Sequence, residues 1–345
     1  MELTIDRNSD PRYIGKNLLQ NSKTWQQELA EGFNNIDDIC EYLNISQADK
    51  TLLPSSSTFP LRVPREFVAR MEKGNINDPL LKQILPTKNE NISASGFSND
   101  PVGDINAITE AGVIHKYQGR VLLITTGSCA INCRYCFRRN FPYSDFQLST
   151  KKHQKAINYI QNRSDISEVI LSGGDPLLLN EQKILGLMQQ LQAIPHIKRI
   201  RIHSRIPIVL PSRITAELCN GLSKIKKELV LVAHSNHANE LNSKVRSAFE
   251  DLKEANVTLL NQAVLLKGIN DDSQQLIELS EKLFSMGVLP YYLHLLDRAA
   301  GTAHFETSEN QAIALMNQLK KNLPGYLVPK LVREQAGAES KTIIA

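Results

Sequence analysis

From residue 120 onward, short runs of aliphatic and β-branched residues alternate with longer amphipathic segments. The runs are RVLLITT, EVILSG, IKRIRIHS, LVLVAHS, TLLNQAVLL and PYYLHLLD, and a last extended piece, YLVPKLVRE, follows them. Strands that alternate with helices of roughly 10 to 15 residues form parallel βαβ units. No GxGxxG sequence follows the first run, which disfavours an open doubly wound sheet. The pattern therefore predicts an α/β fold, a partial (β/α)6-type barrel.

The part of the chain before this alternation predicts a mainly helical extension. SKTWQQELAEGF and NIDDICEYLN show apolar residues at helical spacing after a Ser or Asn. The segment from about 86 to 115 is polar and punctuated by Gly and Pro, and we interpret it as a connector or lid. We predict an N-terminal extension and connector over 1–105, the barrel over 106–328, and a C-terminal extended segment over 329–345.

Chemically capable side chains lie at the end of each predicted strand. In a parallel α/β barrel the carboxyl ends of the strands form the active-site face. One site assembled from every unit favours an enzyme over a scaffold or a binding module. The residues concerned are Cys129 to Cys136 after the first strand, SGGDP after the second, HSR after the third, HSNH after the fourth, Asn261 and Gln262 on the fifth, and Asp297 at the end of the sixth.

Charge and hydropathy argue against several classes of partner. The formal net charge of +4 over 345 residues is mild and gives no reason to expect nucleic acid or an anionic membrane. The apolar runs are far shorter than the roughly 20 residues that span a bilayer. The N-terminus is charged and lacks the apolar core of a signal peptide. We therefore expect a cytoplasmic protein, in which clustered cysteines bind metal or react. The isolated Cys40 and Cys219 are predicted to be packing residues.

Three cysteines, Cys129, Cys133 and Cys136, lie within eight residues of the segment TGSCAINCRYCFRRNF. A structural zinc site normally needs four ligands. Here His234 and His237 could supply the missing ligand beside the three cysteines. Thiolates also suit iron–sulfur clusters, and three of them leave one iron of a four-iron cube without a protein ligand. Because an open iron can bind and reduce another molecule, we favour the iron–sulfur interpretation.

The spacing C-x3-C-x2-C in a loop after the first strand of an α/β barrel resembles the signature of the radical S-adenosylmethionine superfamily. The resemblance implies a [4Fe–4S] cluster held by the three cysteines, with S-adenosylmethionine bound at the open iron. It also implies an external reductant of the flavodoxin or ferredoxin type, which drives cleavage to a 5′-deoxyadenosyl radical. SGGDP resembles the glycine-rich motif of the superfamily, which implies that Gly173, Gly174 and Asp175 contact S-adenosylmethionine.

Several longer segments resemble the lysine 2,3-aminomutases, from about residue 100 to the end of the chain. This resemblance implies that pyridoxal 5′-phosphate is a further cofactor, carried between turnovers as an imine on a lysine that Lys341 matches. The loop before Lys341 departs from the family, whose members commonly have a glycine-rich run and KTP where this chain has GAESKTI. The segments are HKYQGRVLLITTGSCAINCRYCFRR, SGGDPL, IPHIKRIRIHSRIPIVLPSRIT, NHANE, TLLNQAVLLKGIND, PYYLHLLD and REQAGAESKTI.

The same resemblance implies which residues bind the cofactor's phosphate and the substrate's carboxylate. Lys116, Tyr117 and Arg120 match the phosphate-anchoring segment, and two cations beside a hydroxyl suit a dianion. Arg138 matches the residue that clamps the carboxylate of the substrate, because a guanidinium offers two parallel donors to a planar anion.

Four further residues match functional positions of the family. Asp297 and Glu334 match the two acidic partners of the ε-ammonium of lysine, and Glu334 is one methylene longer than the usual Asp. A glutamate-specific aminomutase would lack this acidic pair, so the charge favours L-lysine as substrate. His234 and Gln262 match residues that line the S-adenosylmethionine and pyridoxal phosphate sites.

The resemblance implies a lysine 2,3-aminomutase that converts L-lysine to β-lysine. The short N-terminal region and the end of the chain just past Lys341 resemble the bacterial branch of the family that supplies (R)-β-lysine, which a separate ligase attaches to elongation factor P. Three alternatives stay open: the same or a related amino shift in metabolism, another radical S-adenosylmethionine reaction, and a non-catalytic metal-stabilised interaction protein. The sequence leaves product stereochemistry, the acceptor, the reductant and the oligomeric state open, including a homo-oligomer.

Overall fold

The computed structural model describes residues 23–51, 53, 54, 57, 59–109, 112–143 and 150–345. The first 22 residues of the predicted N-terminal extension, with the prediction that no signal peptide is present there, lie outside the described residues, as does the start of the predicted helix at Ser149. None of the described helices is long and apolar enough to cross a membrane.

One sheet organises the fold, with its strands in chain order: β1 (Val113–Tyr117), β2 (Arg120–Thr126), β3 (Glu168–Gly173), β4 (Arg199–Ser204), β5 (Glu228–His234), β6 (Val257–Val264), β7 (Leu289–His294), β8 (Lys330–Arg333) and β9 (Thr342–Ile343). β2 to β8 pair in parallel, whereas β1 and β9 pair antiparallel at the two edges. β1 and β9 do not pair with each other in the described part of the chain, so the barrel is partial. The predicted fold class is confirmed, and YLVPKLVRE supplies a seventh parallel strand.

The helices are α1 (Trp25–Ala30), α2 (Ile36–Tyr42), α3 (Gln47–Lys50), α4 (Arg65–Val68), α5 (Thr150–Gln161), α6 (Glu181–Gln192), α7 (Ile206–Val209), α8 (Ala216–Leu222), α9 (Ser243–Glu254), α10 (Ser273–Ser285) and α11 (Glu309–Asn322). The longer ones connect successive parallel strands, which confirms the predicted alternation. Their starts are fixed by side-chain caps, because Asn180, Asn242, Asp272 and Ser308 each accept a hydrogen bond from the first turn of α6, α9, α10 and α11.

The hydrophobic core extends from the sheet into the N-terminal helices. All six residues of β3 are buried, as expected for a parallel strand covered on both faces. Trp25 of α1 belongs to the same core, and the guanidinium of Arg213 lies 4.8 Å from the centre of its ring. Cys40 is part of this core and Cys219 packs against it, which confirms both as packing residues. The three-part division at residues 105 and 328 stays a prediction.

Two antiparallel edge strands, which the alternation does not predict, bring distant segments to one end of the sheet. Tyr117 pairs with Arg120 across the tight β1–β2 turn, where Gly119 has a φ of 74°. At the other edge, β9 returns along β8 with Thr342 opposite Arg333. This return brings Lys341 to the carboxyl end of β8.

Candidate active site

A cavity of about 1000 Å³ lies at the carboxyl ends of the parallel strands. Every residue that the two family resemblances assign to a cofactor or to the substrate lines this one cavity, although the residues come from the whole length of the sheet. The roles themselves stay predictions. The residues are Lys116, Tyr117, Arg120, Cys129, Cys133, Cys136, Arg138, Gly173, Gly174, Asp175, His234, Gln262, Asp297, Glu334 and Lys341.

The loop after β2 carries the three cysteines into the cavity wall. The backbone amide of Cys136 donates to the carbonyl of Cys133 at 3.0 Å, and that of Arg134 donates to the carbonyl of Gln83 at 2.8 Å. Burial raises the pKa of the Cys136 thiol to about 11 and that of Cys129 well above its usual range. These two thiols therefore keep their protons near neutral pH until a metal displaces them.

The chemistry of the three thiols fits an iron–sulfur cluster. Thiolates are soft ligands suited to iron, and a four-iron cluster offers each thiolate its own iron. A structural zinc ion normally takes four protein ligands, and the cysteine loop supplies three. Cys129, Cys133 and Cys136 are the residues that would hold the cluster.

Gly173 and Gly174 pack directly against the backbone of the cysteine loop. A Cβ on Gly173 would lie 2.5 Å from the carbonyl oxygen of Thr126, and a Cβ on Gly174 would lie 2.1 Å from that of Ser128. Gly173 also has a φ of 118°, which residues with a side chain rarely adopt. The glycines thus let the end of β3 support the segment immediately before Cys129, a reason for them that is independent of any ligand.

Gly174→Ala is expected to displace the cysteine loop and lower the iron bound per chain after anaerobic reconstitution, because the new Cβ overlaps a backbone carbonyl. Gly186→Ala is the matched control, since a Cβ on Gly186 in α6 meets nothing within 4 Å. That control should stabilise the helix by about 0.5 to 1 kcal/mol. Iron analysis and thermal unfolding check both variants, and equal iron content in the two would contradict this packing.

The carboxylate of Asp175 is engaged within the protein. Its Oδ1 accepts a hydrogen bond from Oγ of Ser204 at 2.7 Å, and its Oδ2 accepts one from the backbone amide of Arg205 at 2.8 Å. The backbone amides of Leu177 and Ile206 also donate to it. Four donors occupy this carboxylate, so Asp175 ties the end of β3 to the end of β4 whatever ligand the cavity holds.

The residues predicted to bind the cofactors include two pairs whose side chains lie close together. His234 and Gln262 are paired in the register of β5 and β6, and Nε2 of His234 lies 2.8 Å from the side-chain amide nitrogen of Gln262. Burial lowers the pKa of His234 to about 3, so its ring is neutral at physiological pH. At the sheet edge, the guanidinium of Arg120 lies 4.6 Å from the centre of the Tyr117 ring.

Several buried polar atoms of the cavity wall lack hydrogen-bond partners within the described part of the chain. A buried donor or acceptor without a partner lowers stability, and a bound polar molecule can satisfy it. The cavity therefore fits ligands with many polar groups, such as the two organic cofactors that the sequence predicts. The atoms are Nε2 of His203, Nε of Arg205 and Nε2 of His294.

Five charged side chains of alternating sign form a continuous row along the cavity wall. Lys341 pairs with Glu334, whose other oxygen lies 3.2 Å from Nζ of Lys116. Lys116 lies 2.5 Å from Asp104, which in turn lies 2.7 Å from Nε of Arg138. Although burial opposes ionisation, Lys341 and Lys116 lower the pKa of Glu334 to about 2. The row links the C-terminal strand to the cysteine loop.

The carboxylate of Asp297 lines the same cavity. No group in the described ranges donates a hydrogen bond to its carboxylate or forms an ion pair with it. Burial raises the pKa of Asp297 to about 7, and the nearby Glu334 carboxylate adds to the rise. A half-buried carboxyl group with a raised pKa and no ion-pair partner among the described residues can bind a cationic group of a ligand.

Asp104 and His294 line the cavity but are not among the residues predicted from the sequence, whereas His203 lies in the HSR segment expected at the active-site face. Asp104 lies in the polar connector before β1, where no periodic pattern distinguishes one acidic residue from another. His294 lies at the carboxyl end of β7, and a polar side chain at such a strand position is a signal that could have identified it.

Comparison with known proteins identifies the class of protein to which the strands and the cysteine loop belong. A family model described as the Radical SAM superfamily matches residues 123–280, which run from β2 into α10 and include the three cysteines. Together with the partial barrel, this match identifies a radical S-adenosylmethionine domain, a class that implies a [4Fe–4S] cluster and S-adenosylmethionine.

Full-length relatives define the family. The L-lysine 2,3-aminomutase of Escherichia coli (strain K12) is 47% identical over 92% of this chain and 93% of that protein. That of Haemophilus influenzae is 44% identical over 95% of this chain and 97% of its own length. That of Clostridium subterminale is 33% identical over 92% of this chain and 77% of its own length. The chain belongs to the lysine 2,3-aminomutase family, whose members are isomerases.

Proposed function

We propose that this protein is an L-lysine 2,3-aminomutase that converts L-lysine to β-lysine. The observation that carries the proposal is that one cavity gathers three cysteine thiols, Lys341, the Arg138 guanidinium and the Asp297 carboxylate. The family relationship supports the same reaction. In it, the amino group moves from C2 to C3 of lysine while one hydrogen moves from C3 to C2, so no atoms are gained or lost.

When bound, S-adenosylmethionine and the cluster would supply a 5′-deoxyadenosyl radical, and pyridoxal phosphate would hold the migrating nitrogen. The side chains of the protein would bind and orient these groups. Lys341 would carry pyridoxal phosphate between turnovers, and Lys116, Tyr117 and Arg120 would hold its phosphate. Arg120 and Tyr117 support this assignment because both line the cavity at the same sheet edge.

The charged row and Asp297 orient the substrate. Arg138 binds the carboxylate of lysine, and Asp104 supports this role by holding Nε of Arg138 at 2.7 Å. Asp297 and Glu334 bind the ε-ammonium at the other end. Asp297 is the stronger candidate in the ligand-free protein, because Glu334 already pairs with Lys341 and Lys116. His234 and Gln262 line the sites of the two organic cofactors.

The affinity for lysine is expected to fall as pH drops through about 7, the value to which burial raises the pKa of Asp297. The sign follows from the charge, since only the ionised carboxylate attracts an ammonium group, and protonation below the pKa removes that charge. The kcat/KM profile, which reports ionisations of the free enzyme, should therefore decline on the acidic side. The same inflection persisting in Asp297→Asn would rule out Asp297 as its source.

We further propose that the product is (R)-β-lysine, which a separate ligase attaches to elongation factor P. The resemblance of the N-terminal region to that branch of the family supports this role. An external reductant of the flavodoxin or ferredoxin type would supply the electron. An (S) product, or an (R) product that the ligase does not transfer to elongation factor P, would favour a metabolic role.

Anaerobic reconstitution tests the cofactor set directly. The protein should gain iron–sulfur absorbance with iron and sulfide, and a separate band with pyridoxal phosphate. Absence of both would contradict the proposed function.

A further inference from the structure

Arg205, which follows β4, lies between the cysteine loop and a buried glutamate. Its Nη1 is 2.7 Å from Sγ of Cys133, and its Nη2 donates to Oε2 of Glu240 at 3.0 Å. The side chains of Arg205 and Glu240 are 5% and 0% exposed. The reaction proposed above assigns no role to this arginine.

The carboxylate that anchors Arg205 is itself rigidly held. Oε1 of Glu240 accepts hydrogen bonds from the backbone amides of Asn236 and His237, at 3.0 and 3.1 Å. The side chain of Gln83 bridges the pair, since its Nε2 donates to Glu240 at 3.0 Å and its Oε1 accepts from Arg205 at 2.6 Å. One edge of the guanidinium is thus fixed by two acceptors, which leaves Nη1 directed at the sulfur.

Two aromatic rings and a backbone hydrogen bond also hold Arg205 in place. The guanidinium lies 5.7 Å from the centre of the Tyr135 ring and 5.3 Å from that of Phe67. The backbone amide of Arg205 donates to Asp175, which ties the arginine to the end of β3. A fixed charge in a buried site is screened little by solvent, so it acts strongly on a sulfur at hydrogen-bond distance.

We propose that Arg205 is a positioning residue that donates a hydrogen bond to Sγ of Cys133 when this cysteine is a cluster ligand, and that it raises the reduction potential of the cluster. The inference rests on the proposed cluster site. One-electron reduction by the external reductant makes the cluster more negative without breaking a bond. Hydrogen bonds to ligand sulfurs and nearby positive charge favour that reduced state.

Variants at the two ends of the Arg205–Glu240 pair should shift the potential in opposite directions. Arg205→Met removes the donor and the positive charge, so the midpoint potential should become more negative. Glu240→Gln removes the opposing negative charge but keeps an oxygen acceptor, so the potential should become less negative. A merely structural role would not produce shifts of opposite sign.

The measurement is a redox titration of the anaerobically reconstituted protein, followed by electron paramagnetic resonance without substrate. Arg199→Met is the matched control, because Arg199 begins the same strand at the opposite end of the sheet and pairs with Glu168. It should load iron normally and leave the potential unchanged.

The double variant Arg205→Met/Glu240→Gln avoids leaving either charge buried alone. It should load iron and have a more negative potential than the wild type, because the charge nearer the cluster dominates. Unchanged potentials in the loaded variants would overturn the inference. Loss of iron from all three variants, with normal loading of the Arg199 control, would overturn it too, because Arg205 would then serve assembly. A wild type that binds no iron would instead refute the proposed function.

Discussion

Lys341→Ala is expected to lose the absorbance band of lysine-linked pyridoxal phosphate and to lower turnover by about 10³-fold or more, the scale seen when a covalent catalytic group is removed. The reason is geometric. Lys341 lines the cavity immediately before β9, and the other cavity lysine, Lys116, is held by Asp104 and Glu334. No second amine is therefore free to take over within the described cavity wall.

The control for Lys341→Ala is Lys330→Ala, which removes an exposed lysine at the start of β8. This control should keep both the band and the activity. Lys341→Ala itself should still bind iron, since its side chain does not contact the cysteine loop in this structure. Retained turnover in Lys341→Ala, with or without the band, would refute the assignment.

Asp297→Asn is expected to reduce kcat/KM for L-lysine by about 10² to 10³-fold, because it removes the charge that would pair with the buried ε-ammonium. The variant should not be less stable than the wild type, since the carboxylate has no partner in the described part of the chain. Its Tm should exceed that of the wild type increasingly as pH rises from about 4 to 7, because a raised pKa makes the folded state bind the extra proton over that range.

Glu334→Gln provides the contrast to Asp297→Asn. It breaks ion pairs with Lys341 and Lys116, so it should lower both Tm and activity. Asp165→Asn, which affects an exposed pair with Arg163, should change neither. Steady-state kinetics and thermal unfolding of the three variants distinguish a residue that binds the substrate from one that also stabilises the fold. An unchanged kcat/KM for lysine in Asp297→Asn would remove Asp297 from the substrate site.

The barrel could be predicted because buried parallel strands need continuous apolar runs, and EVILSG of β3 is such a run. The two edge strands, β1 and β9, could not be predicted from the sequence. β9 has only two residues, Thr342 and Ile343, and no periodicity can be read from two positions. Its pairing with β8 depends on the tertiary fold, and that pairing places Lys341 beside Glu334.

The identity of the candidate site residues could be inferred from motifs, but their connections could not. The family resemblance predicts that Lys116 and Arg138 each bind an anionic group of a ligand. The structure shows that Asp104, from a connector without a pattern, contacts both. In the same way, the role of Gly174 follows from its distance to the backbone of Ser128, which no sequence spacing reveals.

The proposed conversion of L-lysine to β-lysine can be tested by incubating the anaerobically reconstituted enzyme with L-lysine, S-adenosylmethionine, pyridoxal phosphate and a strong reductant, and then resolving the amino acids by chiral chromatography. We expect β-lysine, formed at the expense of L-lysine and dependent on S-adenosylmethionine. Unchanged lysine in a sample with intact cluster absorbance and bound pyridoxal phosphate would contradict the proposed function.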